Sequence, residues 1–214
     1  MRIARPGPKY MAIGVGVVFI GWVISGFAVS NAFGVLIEFL AGLFVLFCAY
    51  FFRDPERILP ADPDKLYAPG DGVVLSVGSE GSGGTVLRIF LSIFDVHVQR
   101  VPCAGMVEQV ERHAGSFLPA MKDDAKSNFR VELRLKPEGG REPVTVEQIT
   151  GIVARRIECW VKPGDKLSTG QRYGIIHFGS QVAVRMPASA KCVVKPGDRV
   201  AGGITVVGEW TSKP

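Results

Sequence analysis

Two apolar runs stand almost back to back at the start of this chain, and they constrain its folding more than anything else in it. Met11 to Val29 is a stretch of 19 residues without a charge. As a helix rising 1.5 Å per residue it reaches roughly 28 Å, about the thickness of the bilayer hydrocarbon. After Ser30-Asn31 comes Ala32 to Phe52, equally apolar except for Glu38. Two such segments with almost no loop between them predict a helical hairpin. A shallow or re-entrant insertion and a cleaved signal peptide are the alternatives. The first run is long for a signal peptide, lacks a clear small-residue cleavage site and leads straight into a second apolar run. Glu38 is costly in hydrocarbon, and its place near the loop end points it toward the headgroups.

Arg2, Arg5 and Lys9 precede the first run, and Arg53 and Arg57 follow the second. Positive charge flanking both outer ends places both termini of the hairpin on the cytoplasmic face. The inner, plasma membrane is therefore the expected location, with the remaining domain facing the cytoplasm. The net charge of +5 is largely this N-terminal cluster. The rest carries no basic stripe interleaved with aromatics, so the composition argues against a nucleic-acid partner. Cys48, Cys103, Cys159 and Cys192 are scattered, with no CxxC pair and no Cys/His spacing suited to a metal.

From Asp54 onward the pattern changes. Short runs rich in Val, Ile and Thr alternate with Gly and Pro punctuation: GVVLSVG, TVLRIFLSI, GMVEQVE, FRVELRLK, PVTVEQITGIV, RIECWV, YGIIHF, QVAVRM and ITVVGEW. This predicts a mainly β fold, a compact barrel or sandwich. One short helix is expected within Pro119 to Ser127. Val161-Lys-Pro-Gly-Asp165 recurs 33 residues later as Val194-Lys-Pro-Gly-Asp198, each copy a tight turn leading into a strand. The pair suggests hammerhead half-repeats of the lipoyl/biotinyl type. The expected organisation is an anchor over residues 1–52 and a domain over 53–214.

Ile176-His177-Phe178-Gly179-Ser180-Gln181-Val182 places Gly-Ser between two β-runs. Alone it reads as a bulge or strand turn with an ordinary serine. Its context adds four further motifs in order: Phe52-Arg53-Asp54-Pro55; Ala68-Pro69-Gly70-Asp71-Gly72; Phe94-Asp95-Val96-His97-Val98-Gln99-Arg100-Val101-Pro102; and Gly151-Ile152-Val153-Ala154-Arg155-Arg156-Ile157. With these the chain resembles the phosphatidylserine decarboxylase family, in its short proteobacterial form, from about Phe51 to Trp210.

The resemblance implies self-cleavage between Gly179 and Ser180 into a β-chain of residues 1–179 and an α-chain of residues 180–214 that stay associated. Ser180 would become a covalent pyruvoyl group, a built-in pyruvate cofactor that forms a Schiff base with phosphatidylserine and draws electrons as carbon dioxide leaves. It also implies Asp71 and His97 as the acid-base residues, by a logic comparable to a hydrolase triad, and a homodimer. Turn capping for Asp71 and a satisfied core position for His97 are the structural alternatives. Many relatives carry a second histidine three residues after the first, and here that position is Arg100, a poor base. His97 serving both processing and turnover, or Asp71 acting more directly, are the options this leaves. Arg100 and Arg155 are candidates for the substrate phosphate or carboxylate; an ion pair or exposed charge is the plainer reading of each. His113 and His177 are the other histidines, with His177 expected to point away from Ser180. Competing functions are a noncatalytic membrane adaptor built on a lipoyl-like barrel and a pyruvoyl decarboxylase for another serine phospholipid.

Overall fold

The computed structural model describes residues 2–27, 32–59, 62–80, 83–121, 125, 127–152 and 156–211. The chain divides into two units, Met1–Glu56 and Arg57–Pro214.

In the first unit the apolar runs form helices α1 (Gly7–Phe27) and α2 (Ala32–Phe51). Pro8 lies in the first turn of α1, where its missing N–H leaves no hydrogen bond unmade. The helices pack antiparallel through small residues. Gly14 faces Val45, Gly21 faces Glu38 and Gly34 faces Ser25, each so close that an added methyl would collide, as is typical of helix pairs in lipid. The Ser25 hydroxyl lies 3.0 Å from a Glu38 carboxyl oxygen, so the one acid of the second run has a polar partner across the hairpin. Phe19, Trp22, Phe33 and Leu46 stand exposed. Both helices are long and apolar enough to cross a membrane, which fits the expected hairpin and suggests membrane association. Strands β1 (Arg2–Ile3) and β2 (Arg53–Asp54) pair antiparallel and tie the outer ends of the two helices together.

The second unit is almost entirely β, as its alternating runs predict. Its strands are β3 (Lys65–Tyr67), β4 (Gly72–Glu80), β5 (Gly84–Leu91), β6 (Val98–Arg100), β7 (Gly105–His113), β8 (Arg130–Pro137), β9 (Val144–Ile149), β10 (Ile157–Cys159), β11 (Lys166–Leu167), β12 (Arg172–Ile176), β13 (Ser180–Met186), β14 (Ala190–Cys192), β15 (Arg199–Val200) and β16 (Val206–Trp210). Eight of them form one curled sheet, a half-barrel in the order β11-β7-β8-β9-β13-β5-β4-β15, flanked by the three-stranded sheets β10-β12-β6 and β14-β16-β3.

That order is symmetric about the β9–β13 seam, and the Lys-Pro-Gly-Asp repeat explains why. In each copy the aspartate side chain caps the turn, with Lys162 N to Asp165 Oδ2 and Lys195 N to Asp198 Oδ2 both 2.9 Å. The glycines adopt matching left-handed φ values of 91° and 92°, a conformation open to glycine at little cost. Each turn then feeds a two-residue strand onto the edge of the large sheet, β11 beside β7 and β15 beside β4. The half holding β6 to β12 is inserted into the other, and β13 is where the chain returns.

Alternation along the strands builds the core. Leu87, Ile89 and Leu91 of β5, Val182, Val184 and Met186 of β13, and Val144 and Val146 of β9 all point inward and are buried with Leu133, Leu135, Tyr173 and Trp210. Each fully buried aliphatic side chain contributes about 1.5–3 kcal/mol of transfer free energy.

Several boundaries differ from the sequence expectation. The run through Ile93 ends at Leu91, because the Asp95 side chain accepts from Ser92 N (2.9 Å) and closes a turn. His97 precedes β6 instead of lying within it. The run through Phe178 stops at Ile176, where the backbone turns left-handed. For the helix expected over Pro119 to Ser127, the described residues show a turn at Ala120–Met121 and 3-10 geometry at Ala125 and Ser127; the others lie outside the described residues.

Candidate active site

The connection between β12 and β13 is the most strained stretch of backbone in the described residues. Phe178 has φ of +62° and is the only non-glycine residue there with positive φ; Gly179 follows at +77°. For a bulky aromatic residue this region costs on the order of 1–3 kcal/mol. Glycine at 179 lets the second left-handed step occur without a further penalty. The chain is continuous through the Gly179–Ser180 peptide, so this geometry belongs to the uncut polypeptide.

Ser180 opens β13 opposite Leu91 of β5. Like Leu91 and Val182 it turns inward, and it is fully buried, its hydroxyl lacking any hydrogen-bond partner. A buried hydroxyl without a partner is costly, and here it sits beside the carbonyl that closes a strained turn.

His97 is fully buried and reaches the neighbouring Phe178–Gly179 peptide. The Gly179 N–H donates to its Nε2 at 3.3 Å, and its Nδ1 lies 2.9 Å from the Asp95 carbonyl oxygen. Because a backbone amide only donates and a carbonyl only accepts, the two bonds together select the neutral tautomer with the proton on Nδ1. The Nε2 lone pair accepts from the amide of Gly179, one residue before Ser180, a position from which an imidazole can act as a general base once that bond is released.

Gly151, just beyond β9, supplies the opposite wall. A Cβ on this residue would lie 2.7 Å from the Gly179 carbonyl oxygen and 3.2 Å from the Ala120 methyl. Asn128, fully buried, fixes this wall by accepting from Leu118 N and donating to Leu118 O and Thr150 O, each at 2.8 Å. Gln181 donates to the Ala120 carbonyl from the outer face of β13. Neither residue was singled out in the sequence. Asn128 carries no local signal beyond being a polar residue beside a β-run.

Asp71 occupies the loop before β4. Arg57 donates to both its carboxylate oxygens at 2.7 Å, and Gly202 N donates to Oδ1 at 2.8 Å. Among the described residues no hydrogen bond joins Asp71 to His97. The adjacent Gly70 packs under Leu91, Val182 and Gln99, which brings the Asp71 loop beneath the strand carrying Ser180.

Gln99 and Gln148 form a second buried polar feature on the interior side. Gln148 donates to Gln99, leaving Gln99 Nε2 and Gln148 Oε1 without partners. Arg100 is 4% exposed, and its guanidinium donates to the Gly170 carbonyl at 3.0 Å. Arg155 lies outside the described residues. His113 faces Glu111 and Glu132. His177 is buried beside Glu158 at 3.6 Å; burial pushes its pKa down to about 4 despite the opposing carboxylate. It is therefore neutral at physiological pH. Among the described residues no group of three or more His, Cys, Asp or Glu is arranged to hold a metal ion.

The family model for phosphatidylserine decarboxylase matches residues 44–208, which include every group above. The chain belongs to this family. It is 43% identical over 199 residues to the phosphatidylserine decarboxylase proenzyme of Carboxydothermus hydrogenoformans, covering 87% of this chain and 92% of the relative. It is 40% identical over 195 residues to that of Anaplasma phagocytophilum, covering 88% and 84%. It is 34% identical over 217 residues to that of Burkholderia pseudomallei, covering 99% and 97%. The relatives are all named as proenzymes of the decarboxylase.

Proposed function

We propose that this chain cuts itself between Gly179 and Ser180 and then converts phosphatidylserine to phosphatidylethanolamine and carbon dioxide. The observation that carries this reading is the meeting, within three consecutive residues, of the strained Phe178–Gly179 turn, the His97 ring bonded to the Gly179 amide and the partnerless Ser180 hydroxyl. His97 Nε2, once it gives up the Gly179 N–H, takes the hydroxyl proton as Ser180 Oγ attacks the Gly179 carbonyl carbon. The peptide bond breaks and an ester forms, returning the proton to the freed amine. The strain at Phe178 raises the starting state and is relieved as the turn opens. Loss of the Ser180 α-proton expels the Gly179 carboxylate and leaves dehydroalanine, and water then releases ammonia and leaves a pyruvoyl group as the new N-terminus.

The residues present suit such a group: its position is buried, walled by Gly151 and His97, and close to polar groups at Gln99 and Gln148 that lack partners. Once formed, the ketone supplies an electron sink for the departing carboxylate. His97 remains beside it to hold or move a proton. Asp71 positions the floor of the site through Arg57 and Gly202, and Arg100 braces the Gly170 turn from the interior. Arg155 keeps its candidacy for the headgroup phosphate. After cleavage β13 stays paired with β5 and β9, so the 180–214 fragment remains a central part of the sheet. The hairpin holds the domain at the inner membrane, on the cytoplasmic side where the flanking positive charges belong.

Replacing Ser180 with alanine tests the proposal. The purified variant is expected as one uncut chain with no decarboxylase activity toward phosphatidylserine, against two fragments and turnover for the parent. Full activity in the variant would overturn it.

A further inference from the structure

Ten large apolar side chains described between Arg57 and Thr211 stand exposed, and six of them belong to the three segments around the Gly179–Ser180 peptide. These are Ile93 and Phe94, Phe117, Leu118 and Met121, and Ile152. Isolated exposed apolar residues are ordinary; a cluster around a reactive centre is not. Phe94 and Met121 are each about two-thirds exposed, at 65% and 66%.

The segments are built into the site wall. Ile93 Cγ2 lies 3.6 Å from where a Gly179 side chain would begin, and Ile152 follows Gly151, which abuts the Gly179 carbonyl. Asn128 ties Leu118 to the Thr150 carbonyl, and Gln181 ties Ala120 to β13. The apolar side chains therefore project from a fixed frame.

From this arrangement we infer that the six-residue rim is a membrane-contact surface that seats the mouth of the site in the lipid leaflet. This rests on the function proposed above. The reactive amine of phosphatidylserine is joined to its two acyl chains by one short headgroup, so an amine that reaches Ser180 leaves those chains close to the mouth. Drawing the lipid wholly out of the bilayer would expose both chains to water, at a cost that grows with every methylene. A mouth ringed by Phe, Ile, Leu and Met avoids that cost by meeting the hydrocarbon boundary while the headgroup enters. The two apolar helices tether the chain to a membrane; the rim sets which face of the domain meets it.

The test uses the full chain in phosphatidylcholine vesicles. The double variant Phe94→Asp/Met121→Asp is expected to self-process fully by intact mass. Its turnover of a water-soluble short-chain phosphatidylserine should stay within about twofold of the parent. Apparent KM for long-chain phosphatidylserine in vesicles should rise about tenfold. Equal turnover of both substrates by variant and parent, or an equal loss on both, would overturn the inference. So would a change in oligomeric state accompanying the loss, since that marks the rim as a contact between copies. Should the double variant fail to fold, Phe94→Trp in a Trp22→Phe background replaces it, its emission taken as the difference from that background, which retains Trp160 and Trp210. Quenching of its emission by lipids brominated in the acyl chains, in vesicles without phosphatidylserine, is expected, with a Val193→Trp control unquenched; an unquenched Trp at 94 would refute the rim. A chain that neither processes nor turns over either substrate would count against the Ser180 chemistry instead.

Discussion

Gly151→Ala puts the smallest possible side chain against the peptide at which we propose the chain is cut. The new Cβ would lie 2.7 Å from the Gly179 carbonyl oxygen, where ordinary contact begins near 3.4 Å, so about 0.7 Å must be found. The Ala120 methyl at 3.2 Å blocks the retreat on one side. The Gly179 carbonyl is thus the group that moves, and it is the electrophile of the proposed self-cleavage. Displacement approaching 1 Å from a near-attack arrangement slows reaction by up to about a hundredfold. Overpacking at one site costs about 1–3 kcal/mol of stability, which a domain of this size tolerates. The assay is an intact-mass time course on freshly synthesised precursor, with a thermal melt in parallel. Gly151→Ala should melt cooperatively at a modestly lower temperature and convert about 10- to 100-fold more slowly. Processing at the parental rate would show that the Gly179 carbonyl is not held against Gly151.

Other substitutions probe the remaining parts of the site. His97→Ala removes the acceptor of the Gly179 N–H and should slow processing by at least about a hundredfold, followed by the same mass assay; parental processing and turnover would remove His97 from the chemistry. Asp71→Asn leaves Arg57 facing a neutral amide and should cost about 2 kcal/mol, since the pair is mostly but not fully buried, read as a lower denaturation midpoint at unchanged slope. An unshifted midpoint would deny the pair a structural role. For pH, the folded pKa of His177 is lowered to about 4 from 6.5, so the unfolded chain binds the extra proton between those values. Its contribution is complete above pH 6.5 and lost as pH falls toward 4, roughly 2 kcal/mol after allowance for solvent screening. His177→Gln should flatten that acid limb of a stability–pH profile, and an unchanged limb would assign it elsewhere.

Local pattern carried much of the fold. Period-two alternation over Gly84–Leu91 is a direct consequence of one face meeting the core, and the two Lys-Pro-Gly-Asp turns are written in residues whose backbone preferences leave few alternatives. The uninterrupted apolar runs before Arg53 likewise require helices. What resists such reading depends on residues far apart in the chain. Gly151 matters because β9 and β13 are neighbours, and nothing within the Thr150-Gly151-Ile152 segment says so. Asp71 looked like a turn residue or a partner for His97, whereas a loop contact across the domain gives it to Arg57 and Gly202. Arg100 reads as a substrate contact or an ion pair, and only the fold shows it buried with its guanidinium on the Gly170 carbonyl. Nothing local in the 117–121 stretch tells that Asn128 bonds Leu118 and Gln181 bonds Ala120 while Phe117, Leu118 and Met121 stand exposed.

The N-terminal group of the small fragment decides the central chemistry. The mature protein should contain a piece spanning 180–214 whose mass is lower by one ammonia than simple hydrolysis before Ser180 would give, whose terminus resists Edman degradation, and which gains two hydrogens on borohydride reduction. A fragment beginning with an ordinary serine, or an active chain that is never cut, would contradict it.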